Sequence, residues 1–393
     1  MKLLIVSHTP HYRLGESIVG WGATVREIDH LATLFDEVVH LAPLHLESPP
    51  ASSMAYEASN LRFCPVKPAG GTSLLAKVGI LVRLPAWSLA IRREMRRADV
   101  VHVRCPASIS LLALLLLNLF RRPRPRWVKY AGNWRPDGAE APAYRLQRWL
   151  LRRRGHRAVV TVNGSWAEQP AHIVPFHNPC LTSEEIEEGR QAARARTFEP
   201  PFRLAFIGAL IPGKGADVAL RVVKALEAEE PRIHLDIVGD GPLRGELETL
   251  VHELDLEGRV TFHGYLSRNR IPAVLEHAHI LLHPSRSEGF PKVVAEAMAY
   301  GAVPIAGAVS SIPQLLEVAK AGVAIDPRDT RGFVRATSRF LHDEDRWLEA
   351  VENGMEAACQ FTYDVFLDQV VELLESRFRI RVQSKHVSPV LTP

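Results

Sequence analysis

Ser285-Arg286-Ser287-Glu288-Gly289-Phe290-Pro291-Lys292-Val293-Val294-Ala295-Glu296-Ala297-Met298-Ala299-Tyr300-Gly301 decides how this chain is read. Pro291 suits the first turn of a helix, because its missing N–H would be unpaired there anyway. Gly301 suits the end of that helix, where a left-handed residue is needed. Between them Val293, Val294, Ala297 and Met298 recur at helical spacing and form a core-facing stripe. Glu288 then falls just before the helix and Glu296 in its second turn. The backbone amides from Gly289 to Lys292 form an open helix N-terminus, which can hold a phosphate. One carboxylate can reach a sugar hydroxyl beyond that phosphate, and the other a ribose. The spacing alone fits a plainer arrangement equally well, with Lys292 and Glu296 paired on a solvated face and Glu288 complementing the helix dipole.

Working outward, this strand-and-helix grammar repeats along 393 residues, enough for two domains. Expected strands in the first half are Leu3–Ser7, Glu37–Leu41, Val100–Arg104, Trp127–Tyr130 and Ala158–Val162. Helical patterns such as Ala23–Leu34 and Leu81–Arg97 separate them, which implies a doubly wound parallel sheet. The second half starts again with Phe202–Ile207, His234–Val238, Val260–Phe262, Ile280–His283 and Val303–Ala306. The expected fold class is α/β with two Rossmann-like domains, at 1–180 and 202–360. A polar linker over 181–201 that includes a short helix, a helix over 361–380 and a flexible tail over 381–393 complete the layout. The apolar run Ile109–Phe120 is too short to span a bilayer and reads as a buried helix.

Charge divides unevenly between the halves. Residues 1–180 hold 24 Lys and Arg against 12 Asp and Glu, whereas the remainder holds 24 against 32. Arg145, Arg148, Arg152, Arg153 and Arg154 cluster around Trp149, Leu150 and Leu151, a composition suited to an anionic membrane surface. No nucleic-acid module accompanies them, so nucleic acid is not expected as a partner. Cys64, Cys105, Cys180 and Cys359 are scattered without metal-ligand spacing, which favours a reducing compartment. Asp343-Glu344-Asp345 reads as a solvated charge run, and no metal or other cofactor is expected. With no charged leader before the first strand, a cytoplasmic location is expected, peripheral at the membrane face.

Three further turns follow strands. Gly208-Ala209-Leu210-Ile211-Pro212-Gly213-Lys214-Gly215 offers close backbone approach to an anion and a point charge from Lys214. Val238-Gly239-Asp240-Gly241-Pro242 and His263-Gly264-Tyr265-Leu266 follow the next two. Glu288 to Lys292, Glu296-Ala297-Met298 and Gly301 to Ile305 together resemble the Glu-x7-Glu signature of retaining GT-B glycosyltransferases of family four, which use nucleotide-activated sugars. The resemblance is strong over Phe202–Asp326 and looser before it.

That resemblance implies a GT-B fold, its domains facing across a cleft, whose last helix crosses back onto the N-terminal domain. It implies that Glu288 is the catalytic residue holding the donor sugar, beside the amides of Phe290, Pro291 and Lys292, and that Glu296 binds ribose. Gly208 and Lys214 would flank the diphosphate, Gly239 would line the nucleotide side, and Gly264 and Tyr265 would read the base. Gly20 and Gly22, around Trp21, correspond to the family's N-terminal diphosphate loop. Two departures stand out: Ala209 replaces the usual Arg, and Asn133 replaces a His at the acceptor side. His102 and Asp137 are weak substitutes for that His. The implied reaction moves sugar from a nucleotide-sugar donor to a glycan or lipid-linked acceptor, in cell-surface polysaccharide or glycolipid biosynthesis. A nucleotide-sugar epimerase and a non-catalytic sugar- or membrane-binding relative share this architecture and stay open as alternatives.

Overall fold

Leu3, Leu4, Ile5 and Val6 are all fully buried, as a parallel strand covered on both faces requires. They belong to the first of two units in the computed structural model, which describes residues 1–71, 74–136, 138 and 140–382. This unit takes Met1–Phe176 and the chain from Phe366 onward. Its elements are β1 (Lys2–Val6), β2 (His11–Leu14), β3 (Ser17–Trp21), α1 (Gly22–Ala32), β4 (Glu37–Pro43), β5 (Ser53–Ala55), β6 (Leu61–Val66) and α2 (Leu74–Met95). There follow β7 (Val100–Cys105), α3 (Ser108–Leu119), β8 (Arg126–Tyr130), α4 (Pro142–Arg152), β9 (Val159–Val162) and β10 (Ile173–Pro175).

Seven strands pair in parallel in the order β10-β9-β8-β7-β1-β4-β6. Alternate residues of β1 serve opposite cores. Leu4 and Val6 join Trp87, Ile91 and Leu114, while Leu3 and Ile5 join Ile28, Leu31 and Trp127. The C-terminal helix Tyr363–Phe378 covers that second face, burying Phe366, Val370 and Leu374.

The strands β2 and β3 stand between β1 and α1, where the sequence reading runs from strand to helix directly, and β5 joins them in an antiparallel sheet. Gly20 lies next to the last residue of β3, and Gly22 is the first residue of α1. A Cβ on Gly20 would stand 2.6 Å from His11 Nε2, so the missing side chain is explained by close packing. His11, His40 and Tyr56 are joined there by hydrogen bonds of 2.6–2.7 Å, and burial pushes the imidazole of His11 down to about 4.

The second unit, His177–Val365, repeats the doubly wound plan. It contains α5 (Ser183–Ala195), β11 (Phe202–Ile207), α6 (Ala216–Leu226), β12 (Ile233–Val238), α7 (Arg244–Glu253), β13 (Val260–Gly264) and α8 (Pro272–Leu275). Then come β14 (Ile280–His283), α9 (Lys292–Ala299), β15 (Val303–Gly307), α10 (Ile312–Ala319), β16 (Val323–Ile325), α11 (Thr330–Leu341) and α12 (Glu344–Ala358). Its six strands are parallel in the order β13-β12-β11-β14-β15-β16.

Two expectations gain detail. Most of 181–201 is α5, which starts with a Thr182–Glu185 capping box and packs into the second unit rather than hanging between units. A Cβ on its Gly189 would stand 2.3 Å from the Ala299 carbonyl oxygen. Asp343 caps α12 by accepting from the Arg346 N–H, which gives the charge run a helix-starting role. The expected tail lies, from residue 383, outside the described residues.

Candidate active site

In the second unit β11 and β14 are adjacent, and the order of connection reverses between them. Open α/β sheets bind ligands outside the carboxyl ends of such a strand pair. The loop after β11 carries Lys214, and the loop after β14 carries Glu288. The Arg286 N–H donates to the Gly213 carbonyl at 2.8 Å, tying the two loops together. Gly215, at φ 82°, starts α6, and a Cβ there would stand 2.5 Å from the Pro284 carbonyl oxygen. Only glycine allows that approach.

The side chains meet as the backbones do. Lys214 Nζ lies 2.5 Å from Glu288 Oε1, and His283 Nε2 lies 3.1 Å from the same oxygen. Burial alone would raise the Glu288 pKa. The His283 hydrogen bond and charge, together with Lys214, outweigh burial and hold it at about 2. Glu288 is therefore a permanent anion at ordinary pH. It can accept hydrogen bonds from hydroxyls and stabilise positive charge, but it cannot serve as a proton donor.

This depression carries a stability consequence. A carboxyl held below its ordinary 4.5 stabilises the folded state above that pH, and the contribution is lost as pH falls toward about 2. The shift corresponds to about 3 kcal/mol. Urea titrations between those limits should show a steeper loss of stability for the wild type than for Glu288→Gln. Parallel acid limbs would show that the cluster is not linked to folding.

Glu296 sits in the second turn of α9, as expected, with Pro291 at the N-cap and Gly301 at φ 69° beyond the end. Its carboxylate meets Arg268, whose Nη1 lies 2.5 Å from Glu296 Oε1. Arg268 also bonds the Cys180 carbonyl and lies 3.1 Å from Glu185. One guanidinium thus fixes two carboxylates and the entry to α5. The N-terminus of α9 has no side-chain cap and no acidic residue in its first turn, and Lys292 is its first residue. Phe290 stacks on Phe361, with ring centroids 4.9 Å apart, which steadies the approach to those amides.

The remaining positions divide by role. Gly208 and Gly239 pack against each other, since a Cβ on Gly239 would stand 1.9 Å from the Gly208 carbonyl oxygen. Gly264 takes φ 65° and accepts from the Gly239 N–H at 2.8 Å, leaving Tyr265 46% exposed beside it. His283 and Arg268 were absent from the sequence reading. Their only sequence signals are a histidine at a strand's carboxyl end and an arginine in a polar turn.

In the first unit one reading is corrected and one weak candidate is set aside. Arg148 is buried, bonded to both Glu140 oxygens and, at 3.2 Å, to Tyr130 OH, so it is not part of an exposed basic face. Arg145, Arg152, Arg153 and Arg154 are exposed. His102 is fully buried in β7, with its ring 3.8 Å from that of Trp127, out of reach of any substrate. Asp137 lies outside the described residues.

Residues 189–357 match the family model described as glycosyl transferases group 1. A GDP-mannose-dependent alpha-(1-6)-phosphatidylinositol monomannoside mannosyltransferase of Mycobacterium tuberculosis is 28% identical over 189 residues, covering 46% of this chain and 49% of that protein. The chain spans about half the length of the curated relatives it matches. Sucrose-phosphate synthase from Thermosynechococcus elongatus aligns over 96% of this chain and 99% of its own, with TM-score 0.70 and 18% identity. Anabaena HepE in complex with UDP and glucose aligns over 96% and 100%, with TM-score 0.66 and 18% identity. Residues 189–357 of the second unit thus resemble the group 1 glycosyltransferases, and the fold is GT-B, built from two Rossmann-like units. Among the described residues, no helix is long and apolar enough to cross a membrane.

Proposed function

We propose that this protein is a retaining glycosyltransferase that moves a hexose from a nucleotide-sugar donor to a glycan or lipid-linked acceptor, in polysaccharide or glycolipid biosynthesis. The observation that carries the reading is the Lys214–Glu288–His283 cluster beside the uncapped start of α9, at the switch point of the second unit's sheet. The relatives add support: one is described as acting on a phosphatidylinositol mannoside with GDP-mannose, and one fold neighbour holds UDP and glucose.

In this reading Lys214, Lys292 and the α9 amides neutralise the leaving diphosphate, so the reaction proceeds without a metal. The bond from the anomeric carbon to the phosphate oxygen breaks, and its electron pair stays on the phosphate. The acceptor oxygen attacks from the face just vacated and passes its proton to that phosphate. Glu288 holds the sugar hydroxyls and faces the positive charge that develops at the anomeric carbon. Glu296, oriented by Arg268, accepts from the ribose hydroxyls. Gly264 and Tyr265 flank the base.

The test is thermal stabilisation by UDP, GDP, ADP and their sugars, with and without EDTA. A ligand that binds only the folded state raises Tm by mass action. One nucleotide series is expected to shift Tm equally with and without chelator. Glu296→Ala is expected to weaken that nucleotide roughly 10- to 100-fold, the loss of one or two charge-assisted hydrogen bonds. A Glu296→Ala protein with unchanged affinity would remove Glu296 from the donor site. Binding without turnover across acceptors would favour a non-catalytic relative, and donor turnover without acceptor would favour an epimerase.

A further inference from the structure

Three arginine–tryptophan stacks gather beside α4. Arg152 lies over the Trp134 ring, Arg153 over Trp149 and Arg135 over Trp166, with guanidinium carbons 5.6, 3.8 and 5.5 Å from the ring centroids. A stacked arginine uses its flat face and leaves its N–H edges for an anion. Arg135 spends one of those donors on the Ala167 carbonyl, at 2.8 Å. Among the described residues, Arg135, Arg145 and Arg152 form no ion pair with a carboxylate, whereas Arg148 has its charge met by Glu140. One arginine here is structural, and three carry charge that the fold does not use.

These side chains border a recess. Trp134, Trp149, Arg135, Arg145, Arg152 and Gln169 line a space of about 640 Å³ between α4 and the loops that follow β8 and β9. That volume falls within the ~300–1,000 Å³ of small-molecule clefts. Gln169 contributes an unspent donor. Its Oε1 accepts from the Trp166 N–H at 3.2 Å, which sets the direction of the amide, and its Nε2 is buried with no partner among the described residues. A buried donor left unmade is costly, and a ligand hydroxyl would meet it. Glu168, beside it in the lining, holds a left-handed backbone at φ 63°, a conformation that glutamate rarely takes and that clusters at ligand sites.

We infer that this recess binds an acidic sugar unit of a glycan: a uronic acid whose ring lies on Trp149 and whose carboxylate meets Arg145 and Arg152. Each part of the ligand answers a part of the site. The C–H face of a pyranose carries slight positive charge and suits the negative face of an indole. Arginine forks match a carboxylate. Gln169 can donate to ring hydroxyls, and Glu168 can accept from them. The depth of the recess selects single units over a flat surface. Trp134 is only 2% exposed and Arg148 is buried, so a bilayer cannot reach the wall that they form, whereas a sugar ring can. Arg145 and Arg152 thereby pass from the membrane surface expected of them to a glycan. That this glycan is the acceptor chain rests on the transferase reading; the binding itself does not.

The test is isothermal titration calorimetry of the full chain, without donor, against galacturonate, glucuronate and mannuronate tetrasaccharides and a neutral galactose tetrasaccharide. At least one uronate is expected to bind at least ~10-fold tighter than the neutral sugar, the weight of one charge-assisted pair. That preference is expected to shrink as salt rises. Arg145→Gln with Arg152→Gln is expected to erase it, and Trp149→Ala to weaken every sugar. Tm should stay unchanged in both variants, because the three side chains are exposed. Wild type that binds no uronate would overturn the proposal, as would folded variants that bind uronate like wild type. Inorganic pyrophosphate that binds as tightly as the best uronate would reduce the recess to a site for any anion. Phosphatidylglycerol vesicles held through Arg145 and Arg152, with no uronate bound, would return α4 to a membrane. Uronate binding without any nucleotide-dependent shift in Tm would keep this site and remove the transferase reading. A nucleotide shift without uronate binding would do the reverse.

Discussion

Glu288→Gln is expected to lower transfer about 10³-fold, close to 4 kcal/mol of transition-state stabilisation, while nucleotide affinity stays within about threefold. The asymmetry follows from what the carboxylate touches. With a pKa of about 2 it is charged throughout the working range, held by Lys214 at 2.5 Å and His283 at 3.1 Å. Glutamine keeps the shape and one acceptor oxygen but removes the charge. Lys214 then has less holding it back from a diphosphate, so binding of the nucleotide does not suffer. The charge that opposes a developing positive centre on the sugar is gone, and that interaction exists only in the transition state. Single-turnover rates and nucleotide Kd, measured on the same preparation, separate the two effects. A fall in affinity equal to the fall in rate would mean that Glu288 grips the donor uniformly. An unchanged rate would reduce the cluster to a structural ion pair.

The parallel sheets were legible because their strands are covered on both faces. Phe202–Ile207 and Ile280–His283 read as short apolar runs and are strands within those bounds. β2 was not legible: His11-Tyr12-Arg13-Leu14 is half polar, and its partner β3 follows after a turn of two residues. α2 starts at Leu74, before the expected Leu81, because a helix apolar on two faces loses the periodicity that marks its register. The site shows the same division. Pro291, Gly301, Gly213 and Gly215 punctuate the chain, so the loops carrying Lys214 and Glu288 could be placed by local rules. Arg268 reaches Glu296 across 28 positions, and Arg148 reaches Glu140 across a turn into the helix. Such pairings are set by how loops pack, which no local spacing encodes. Arg148 accordingly looked like one more surface arginine.

Glu27→Gln is expected to destabilise the first unit by about 3–5 kcal/mol, the cost of breaking a buried ion pair from one side. Glu27 is 2% exposed on α1, with Arg104 Nη1 at 2.7 Å and Lys129 Nζ at 2.6 Å from a single oxygen. Both cations are buried on neighbouring strands, β7 and β8, and burial, followed by their charge, pushes the pKa of His102 well down. Removing the negative charge leaves a guanidinium and an ammonium facing each other in a medium that solvates neither. The substitution is isosteric, so no cavity term enters. Six of the seven tryptophans lie in the first unit, and only Trp347 lies in the second, so fluorescence-detected urea unfolding reports chiefly on the unit in question. Adding Lys129→Met to Glu27→Gln should recover part of the loss, because the double variant removes a charge of each sign. If the single variant loses less than about 1 kcal/mol, water reaches the triad and screens it. If the double variant is no better than the single, the penalty comes from packing of the Glu27 side chain rather than from stranded charge.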